Sequence, residues 1–567
     1  MEKRKAEILP RLVPALYTAV IGYIFFLVLA AFLYMAAVST SFVSAGEKVY
    51  FLPDSPWANL AAFAAAVAVA VAAEKCAGGR LSAFCARVES DGQFFKKIRN
   101  TLLCAVWIAL SLWALCTRLP SGGDQITVLD AAYGLAQRDF SPLSPVNYLY
   151  DYNHQIGLAM VECLLNRVLG EYNYTAYHLI NAALIPLIFK SLSELGAQLQ
   201  MSRMEQLGLL LLCILFTPLA LYVPFIYGTI PGLLFALIGI RLEIRYFAGG
   251  KWHHALLSAL SAAFAVLLKS NYQIFMIGML IYAIVEIIRS KKGKKALLLV
   301  FVAVFYLAQA KIPIGIFAQM RGAGIPEGVS KWAWVTMGLQ EGDNPGWYNG
   351  YTLDTLIGSE FDTQRQEIWV KSDLKERISV FLDDTDYARD FFVRKTASQW
   401  NEPSFESVVI SQGKELGSGL EWPKTLISEQ GNYRLSLYLN YLNFIIVAGA
   451  MLYLLLCSED EHYHDWLMLA MIVIGGFAFH MVWEAKGQYT LPYFTLLLPY
   501  TVMGYSKAAK SLAALPHLRG GSVVIDKKAL AVKLVLLFAA AAILWYVFHG
   551  TLESLTGDTA AYLRRLA

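Results

Sequence analysis

Apolar runs long enough to cross a bilayer recur along the whole chain, as in "LVPALYTAVIGYIFFLVLAAFLYMAAV" (12–38) and "NTLLCAVWIALSLWALCTRLP" (100–120). About 20 apolar residues in a helix span the roughly 30 Å of hydrocarbon. Inside hydrocarbon every backbone N–H and C=O must be satisfied within the segment, so a chain with many such runs folds as a bundle of helices. Charged residues make up only 16% of the 567 residues, against about 25% in a soluble domain. The first run has a basic flank like a signal peptide, but it is longer than the 7–15 residues of a signal core and reads as an uncleaved span.

Lys and Arg orient the runs, because they collect in cytoplasmic loops. They cluster in "MEKRK", "FFKKIRN" (94–100), "RLEIRYFAGGK" (241–251), "RSKKGKK" (289–295), and around Lys507, Lys510, Lys527 and Lys528. Placing all of these inside predicts spans near 12–38, 57–74, 101–117, 174–193, 206–225, 229–245, 255–269, 272–289, 296–317, 435–457, 465–484, 489–506 and 530–549. The expectation is an all-α polytopic membrane protein of about thirteen spans in the cell membrane, with the N-terminus cytoplasmic and the C-terminus outside. Residues 1–100 form an N-terminal span pair and cytoplasmic linker, 101–317 a membrane core, 318–434 a small extracytoplasmic domain, and 435–567 the last spans. The seven cysteines are odd in number and lie mostly in or beside apolar runs, so no disulfide framework or metal-binding pair emerges. The "HYH" at His462–His464 reads as a solvated cytoplasmic loop.

The outer loop 118–173 has its own pattern. After Asp124, Ile126, Leu129, Tyr133 and Ala136 recur at helical spacing, with Thr127, Asp130, Gly134 and Gln137 opposite. Farther on, Gln155, Ala159, Glu162 and Asn166 form one stripe of an otherwise apolar helix. Both suit helices lying in the membrane interface, joined by an extended, proline-broken link, "SPLSPVNYLYDYNHQ".

Three charged positions stand out. Asp124 follows Ser-Gly-Gly and precedes a helix, where a carboxylate can cap backbone N–H groups or act as a base. Lys269 tips a hairpin between two apolar runs, where it either snorkels to the interface or holds an anion such as a lipid phosphate. Lys486 lies in a third outer turn, "WEAKGQYTLPY" (483–493), beside Glu484 and Tyr489. All three fall at one membrane depth on one side. The tryptophans of 318–434 (Trp332, Trp334, Trp347, Trp400 and Trp422) read as domain core, with a carbohydrate groove as the alternative.

The order of these landmarks resembles the GT-C-fold membrane glycosyltransferases, the superfamily of protein O-mannosyltransferases and lipid A aminoarabinose transferases. Within it the chain is most similar to bacterial members with an extra N-terminal span pair. Asp124-Gln125 stands where that superfamily has an Asp-Glu pair opening its first large outer loop. "YNHQIGLAMVECLLNRVLG" stands for its His-Pro-Pro-Leu helix, with His154 matching and the prolines absent. "LLKSN" loosely matches Leu-Thr-Lys-Gly through Lys269, and "GQYTLPY" has Gln488 where the family has Arg, with Lys486 nearby. The likeness covers about residues 100–505.

The resemblance implies a polyprenyl-phosphate sugar donor and transfer outside the membrane to a glycan, lipid or protein acceptor. On this reading Asp124 is the base, Lys269 and then Lys486 hold the phosphate, and Gln125, Asp130, Tyr152, His154 and Tyr489 are candidate substrate contacts. A sugar phosphate already carries its leaving group, so the demand is for a base and cations rather than a strong acid. A single base predicts inversion, since retention would require a second carboxylate as nucleophile. Neither a metal nor another cofactor is expected, and the partners are membrane lipids and the two substrates, not nucleic acid. The alternatives are a lipid-linked saccharide flippase or transporter, and a polysaccharide polymerase or ligase. Transporters usually place ionisable groups in mid-span, and here they lie at span ends.

Overall fold

The computed structural model describes residues 2–36, 38–43, 48–79, 81–457, 463–514, 527–548, 550–551, 555 and 559–566. His462 of the "HYH" pair lies outside them. The chain is a helical bundle. It runs through α1 (Glu2–Met35), a β-hairpin (β1 Val38–Val43, β2 Lys48–Pro53), α2 (Pro56–Gly78), α3 (Ser82–Ser90) and α4 (Gly92–Thr117). The 118–173 loop carries α5 (Asp124–Ala136), α6 (Tyr148–Asp151) and α7 (Ile156–Leu169). The core continues with α8 (Tyr174–Gln198), α9 (Arg203–Leu215), α10 (Pro218–Leu221), α11 (Thr229–Phe247), α12 (Trp252–Leu268), α13 (Gln273–Ser290) and α14 (Leu297–Arg321). Five helices follow, α15 (Lys331–Gly338), α16 (Tyr351–Gly358), α17 (Thr363–Asp383), α18 (Thr385–Trp400) and α19 (Trp422–Ile427). The chain re-enters the bundle with α20 (Glu429–Leu456), α21 (Tyr463–Val482), α22 (Leu491–Ala514) and α23 (Lys527–Phe548).

Nine helices among the described residues are long and apolar enough to cross a membrane. The other four expected spans lie on elements that fall short of that measure. The 206–225 run breaks after the thirteen residues of α9, where Pro218 starts a new short helix. The α11 helix carries Arg241, Glu243 and Arg245 in its last turns, and α12 has seventeen residues. The α22 helix has 24 residues, with Pro499 inside it and Lys507 and Lys510 near its end.

Contacts sort the loops onto two ends. At one end Arg203 N–H donates to Glu89 (3.2 Å), Ser506 donates to Glu205 (2.6 Å), Arg99 pairs with Glu194 (3.7 Å), and Lys533 donates to the Leu454 and Cys457 carbonyls. Of these, Arg99 lies in a basic segment expected inside and Ser506 adjoins another. At the other end Thr40 N–H reaches the Asn401 carbonyl (3.1 Å), Val329 N–H the Asp151 carbonyl (2.9 Å) and Ala485 N–H the Gly346 carbonyl (2.8 Å). The hairpin, 118–173, 322–428 and the 483–490 turn therefore meet at that end.

Glycine permits two close crossings. A Cβ at Gly228 would lie 1.9 Å from the Leu268 carbonyl oxygen, and one at Gly504 would lie 1.9 Å from that of Gly449. The first brings the start of α11 against the end of α12, next to Lys269.

The structure differs from the sequence reading in four places. The hairpin was unforeseen, and its β-branched and aromatic residues pair in register from Val38 with Pro53 to Val43 with Lys48. The link after α5 contains α6 instead of running extended. The Gln155, Ala159, Glu162 and Asn166 stripe of α7 is buried, and the same helix exposes Leu164 and Val168, so its polar side faces protein. Of the 318–434 tryptophans, Trp347 and Trp400 are core, but Trp332 and Trp422 are exposed.

Candidate active site

The cap reading of Asp124 fails on geometry. Gly123, at φ 62°, occupies the N-cap position and Asp124 is the first residue of α5, exposed and making no capping bond. A glycine is needed there because few other residues adopt that backbone conformation. The carboxylate lies within electrostatic reach of Tyr148, Tyr227, Tyr489 and Lys269.

Lys269 is the single residue between α12 and the 3₁₀ turn that opens α13. It does not snorkel. Its ammonium donates to Thr229 Oγ1 (2.9 Å), the first residue of α11, and lies 5.0 Å from the Tyr227 ring centroid and 5.3 Å from that of Tyr489. Cation–π contact with two rings offsets part of its desolvation. Burial still pulls its pKa down to about 8, against the opposing pull of Glu406, Asp124 and Glu484.

The 483–490 turn supplies the facing wall. Glu484 is buried, accepts from Tyr489 Oη (2.8 Å) and has Lys486 Nζ 4.0 Å away. Lys486 is also close enough to act on Lys269 and Tyr227. Tyr489 stacks on His480 with ring centroids 5.4 Å apart. A small cleft beside Lys269 is lined by Thr229, Gln488, Tyr489, Phe275, Pro492 and Tyr493.

Tyr152 and His154 form another wall. Tyr152 Oη lies 3.3 Å from Tyr348 Oη, and the rings of Tyr152 and His154 border Trp334 at 5.8 and 6.3 Å. His154 is exposed and within electrostatic reach of Lys269.

Two of the expected contacts stand apart. Gln125 is buried and its Oε1 accepts the Ile226 N–H (2.8 Å), so it fixes the turn that carries Tyr227. Asp130 is exposed among Tyr172, Tyr174 and Tyr133, away from Lys269.

Sequence reasoning missed Tyr148, Tyr227, Thr229, Glu402 and Glu406. Tyr227 and Thr229 flank the gap between two expected spans, the one signal that was there. Tyr227 accepts from Gln155 Nε2 and is bonded to Tyr148. Glu406 is buried, accepts the Gln488 N–H (3.3 Å), and is the strongest charge partner of Lys269. Phe405 and Glu406 are both left-handed, at φ 54° and 58°. The wholly buried Glu402 holds that turn by accepting from Ser404 Oγ (2.6 Å), Ser404 N–H (3.2 Å) and Glu406 N–H (2.7 Å). Burial nevertheless raises its carboxyl to about 7. Among the described residues no three His, Cys, Asp or Glu side chains gather as metal ligands.

No family model matches the chain, and no curated protein matches it. Among solved structures it is similar to an archaeal oligosaccharyltransferase, AglB from Archaeoglobus fulgidus in complex with an inhibitory peptide and a dolichol-phosphate. The identity is 13% and the TM-score 0.39, over 82% of this chain and 56% of that one. The chain thus spans little more than half the length of that enzyme.

Proposed function

We propose that this protein is a membrane glycosyltransferase that moves a sugar from a polyprenyl-phosphate donor to an acceptor hydroxyl on the extracytoplasmic face. One observation carries the reading. Asp124, Lys269 and the Lys486 turn, which are up to 362 positions apart, share one electrostatic neighbourhood at one end of a helical bundle, beside a small cleft lined in part by aromatic rings.

In the reaction, Asp124 takes the proton of the acceptor hydroxyl as its oxygen attacks the anomeric carbon. The bond from that carbon to the phosphate oxygen breaks, and the phosphate leaves with the electron pair. Lys269 and Lys486 then meet the charge that builds on the phosphate oxygens. With one base and attack from the opposite face, the anomeric configuration inverts. Tyr489 and Tyr227 hold Lys269 in place, and the Tyr152, His154 and Trp334 wall offers ring faces to a sugar.

The test is Asp124→Asn, assayed for transfer from a polyprenyl-phosphate sugar. A positioned base contributes about 10²- to 10⁴-fold, so transfer falls by that factor while the protein stays in the membrane at normal abundance. Near-wild-type transfer refutes the assignment.

A further inference from the structure

A second group of hydrogen-bond donors lies beside the strap that carries Asp124, and the reaction above does not use it. Lys414, in the segment between α18 and α19, folds over Gly122. A Cβ there would lie 3.2 Å from Lys414 Cε and 3.6 Å from Nζ, so glycine is what admits the ammonium. Lys414 makes no ion pair or hydrogen bond with any described residue. It lies within electrostatic reach of His178, which is fully buried. A neutral imidazole has one N–H, and the Pro224 carbonyl accepts it, so His178 borders this group without donating to it. The neighbouring Ser121 Oγ, next to Gly122, is buried without a partner, and so is Gln412 Nε2, two residues before Lys414.

An ammonium, a hydroxyl and an amide N–H, all able to donate and none satisfied, make up a set with one chemical complement. Buried polar groups are normally paired, and three such orphans beside one strap indicate a missing acceptor. We infer that Lys414, Ser121 and Gln412 bind a phosphate-class oxyanion beneath the Ser121–Gly123 strap. Burial lowers Lys414 only to about 8, so it is charged at neutral pH. An anion there ties the strap, and with it the backbone of Asp124, to the 412–414 turn. The inference does not rest on the proposed transferase activity.

The test uses the full chain in phosphatidylcholine nanodiscs at constant ionic strength. Inorganic phosphate is titrated against chloride, with the thermal midpoint and calorimetry as readouts. Phosphate should raise the midpoint of the wild type and of Lys269→Met equally, and Lys414→Met should bind at least tenfold more weakly. Ser121→Ala, which keeps the charge and the fold, should weaken binding by a smaller factor. In phosphate-free buffer, nanodiscs doped with phosphatidic acid tell whether a lipid headgroup is the source, because the stabilisation then appears only with that lipid and again needs Lys414. If neither probe stabilises the wild type, or if stabilisation survives both Lys414→Met and Ser121→Ala, the site holds only water and the inference is wrong.

Discussion

Replacing Lys269 with Met should separate an anion-holding lysine from one that merely lines a bundle. An ammonium donating to a charged phosphate oxygen contributes about 1.5–3 kcal/mol, a loss equivalent to roughly 10- to 150-fold in the apparent KM for the lipid donor. The variant keeps the stem that packs between Tyr227 and Tyr489, and because the ammonium also meets the charge that builds on the phosphate, kcat should fall as KM rises. The pH profile adds a second readout. A lysine is cationic below its pKa, and burial sets that of Lys269 near 8. The value of kcat/KM reports the free enzyme, so it should hold below pH 8 and decline above it, reaching about a tenth of its plateau at pH 9. Lys269→Arg, whose guanidinium stays charged past pH 12, should remove that decline even if its plateau is lower. The assay is transfer from a polyprenyl-phosphate sugar in nanodiscs at varied donor concentration. An unchanged KM in Lys269→Met, together with an unchanged pH profile in Lys269→Arg, would show that the phosphate does not meet this residue.

Other expectations concern the architecture around the site. Lys395, almost fully buried, donates to the carbonyls of Gly338, Met481 (3.1 Å) and Trp483 (2.8 Å). Lys395→Met orphans all three and should cost about 3 kcal/mol or more, read as a lower thermal midpoint. Burial lowers Lys395 from 10.5 to about 7, so the unfolded chain binds the extra proton between those values. Wild-type stability therefore gains a contribution as pH rises from 7 toward 10.5, and the Met variant should lack it. With its native cysteines replaced, a chain bearing cysteine at Ile368 or Leu382, 75% and 74% exposed on α17, should react with an impermeant maleimide on intact cells. A cysteine at Lys96 should not react, and the opposite pattern would invert the topology. Finally, polyprenyl phosphate should compete with the donor while millimolar inorganic phosphate should not, as inhibition kinetics will tell.

Much of the architecture was legible because hydrocarbon and charge act locally on the chain. Run length marked nine of the thirteen expected spans, and the basic segments 94–100, 241–251 and 289–295 sorted the runs into two sets of loops that the fold keeps at opposite ends. Asp124 and Lys269 could be found because each interrupts or ends an apolar run, where a charge needs a reason. Other features depend on tertiary partners. The α7 stripe looked water-facing because Gln155, Glu162 and Asn166 are polar, but α7 packs on α5, and its polar atoms serve Tyr227 and Tyr177. Gln125 reads as a substrate contact until the Ile226 N–H is seen to occupy it. The Phe405–Glu406 turn has no local signal, since left-handed backbone at two non-glycine residues is held by the Glu402 carboxylate rather than by composition.

That last omission changes the electrostatics of the site. Linear order suggests one acid and two cations, a cluster that any small anion could enter. The fold adds Glu406 and Glu484, so Lys269 and Lys486 are countered by three carboxylates with Asp124. The cluster is one unit negative before any ligand arrives, and in a partly dehydrated site that charge opposes a bare phosphate. On the proposed function, affinity for a lipid-borne phosphate must then come from burial of the prenyl chain rather than from the lysines. At about 0.8 kcal/mol for each buried CH₂, two isoprene units outweigh such repulsion. Selectivity for a prenylated donor over free phosphate is therefore a consequence of the acids that surround the lysines. The same acids keep Lys269 protonated: without Glu406, Asp124 and Glu484 its pKa would fall below 8, and the cation proposed to receive the leaving phosphate would be lost nearer to neutral pH.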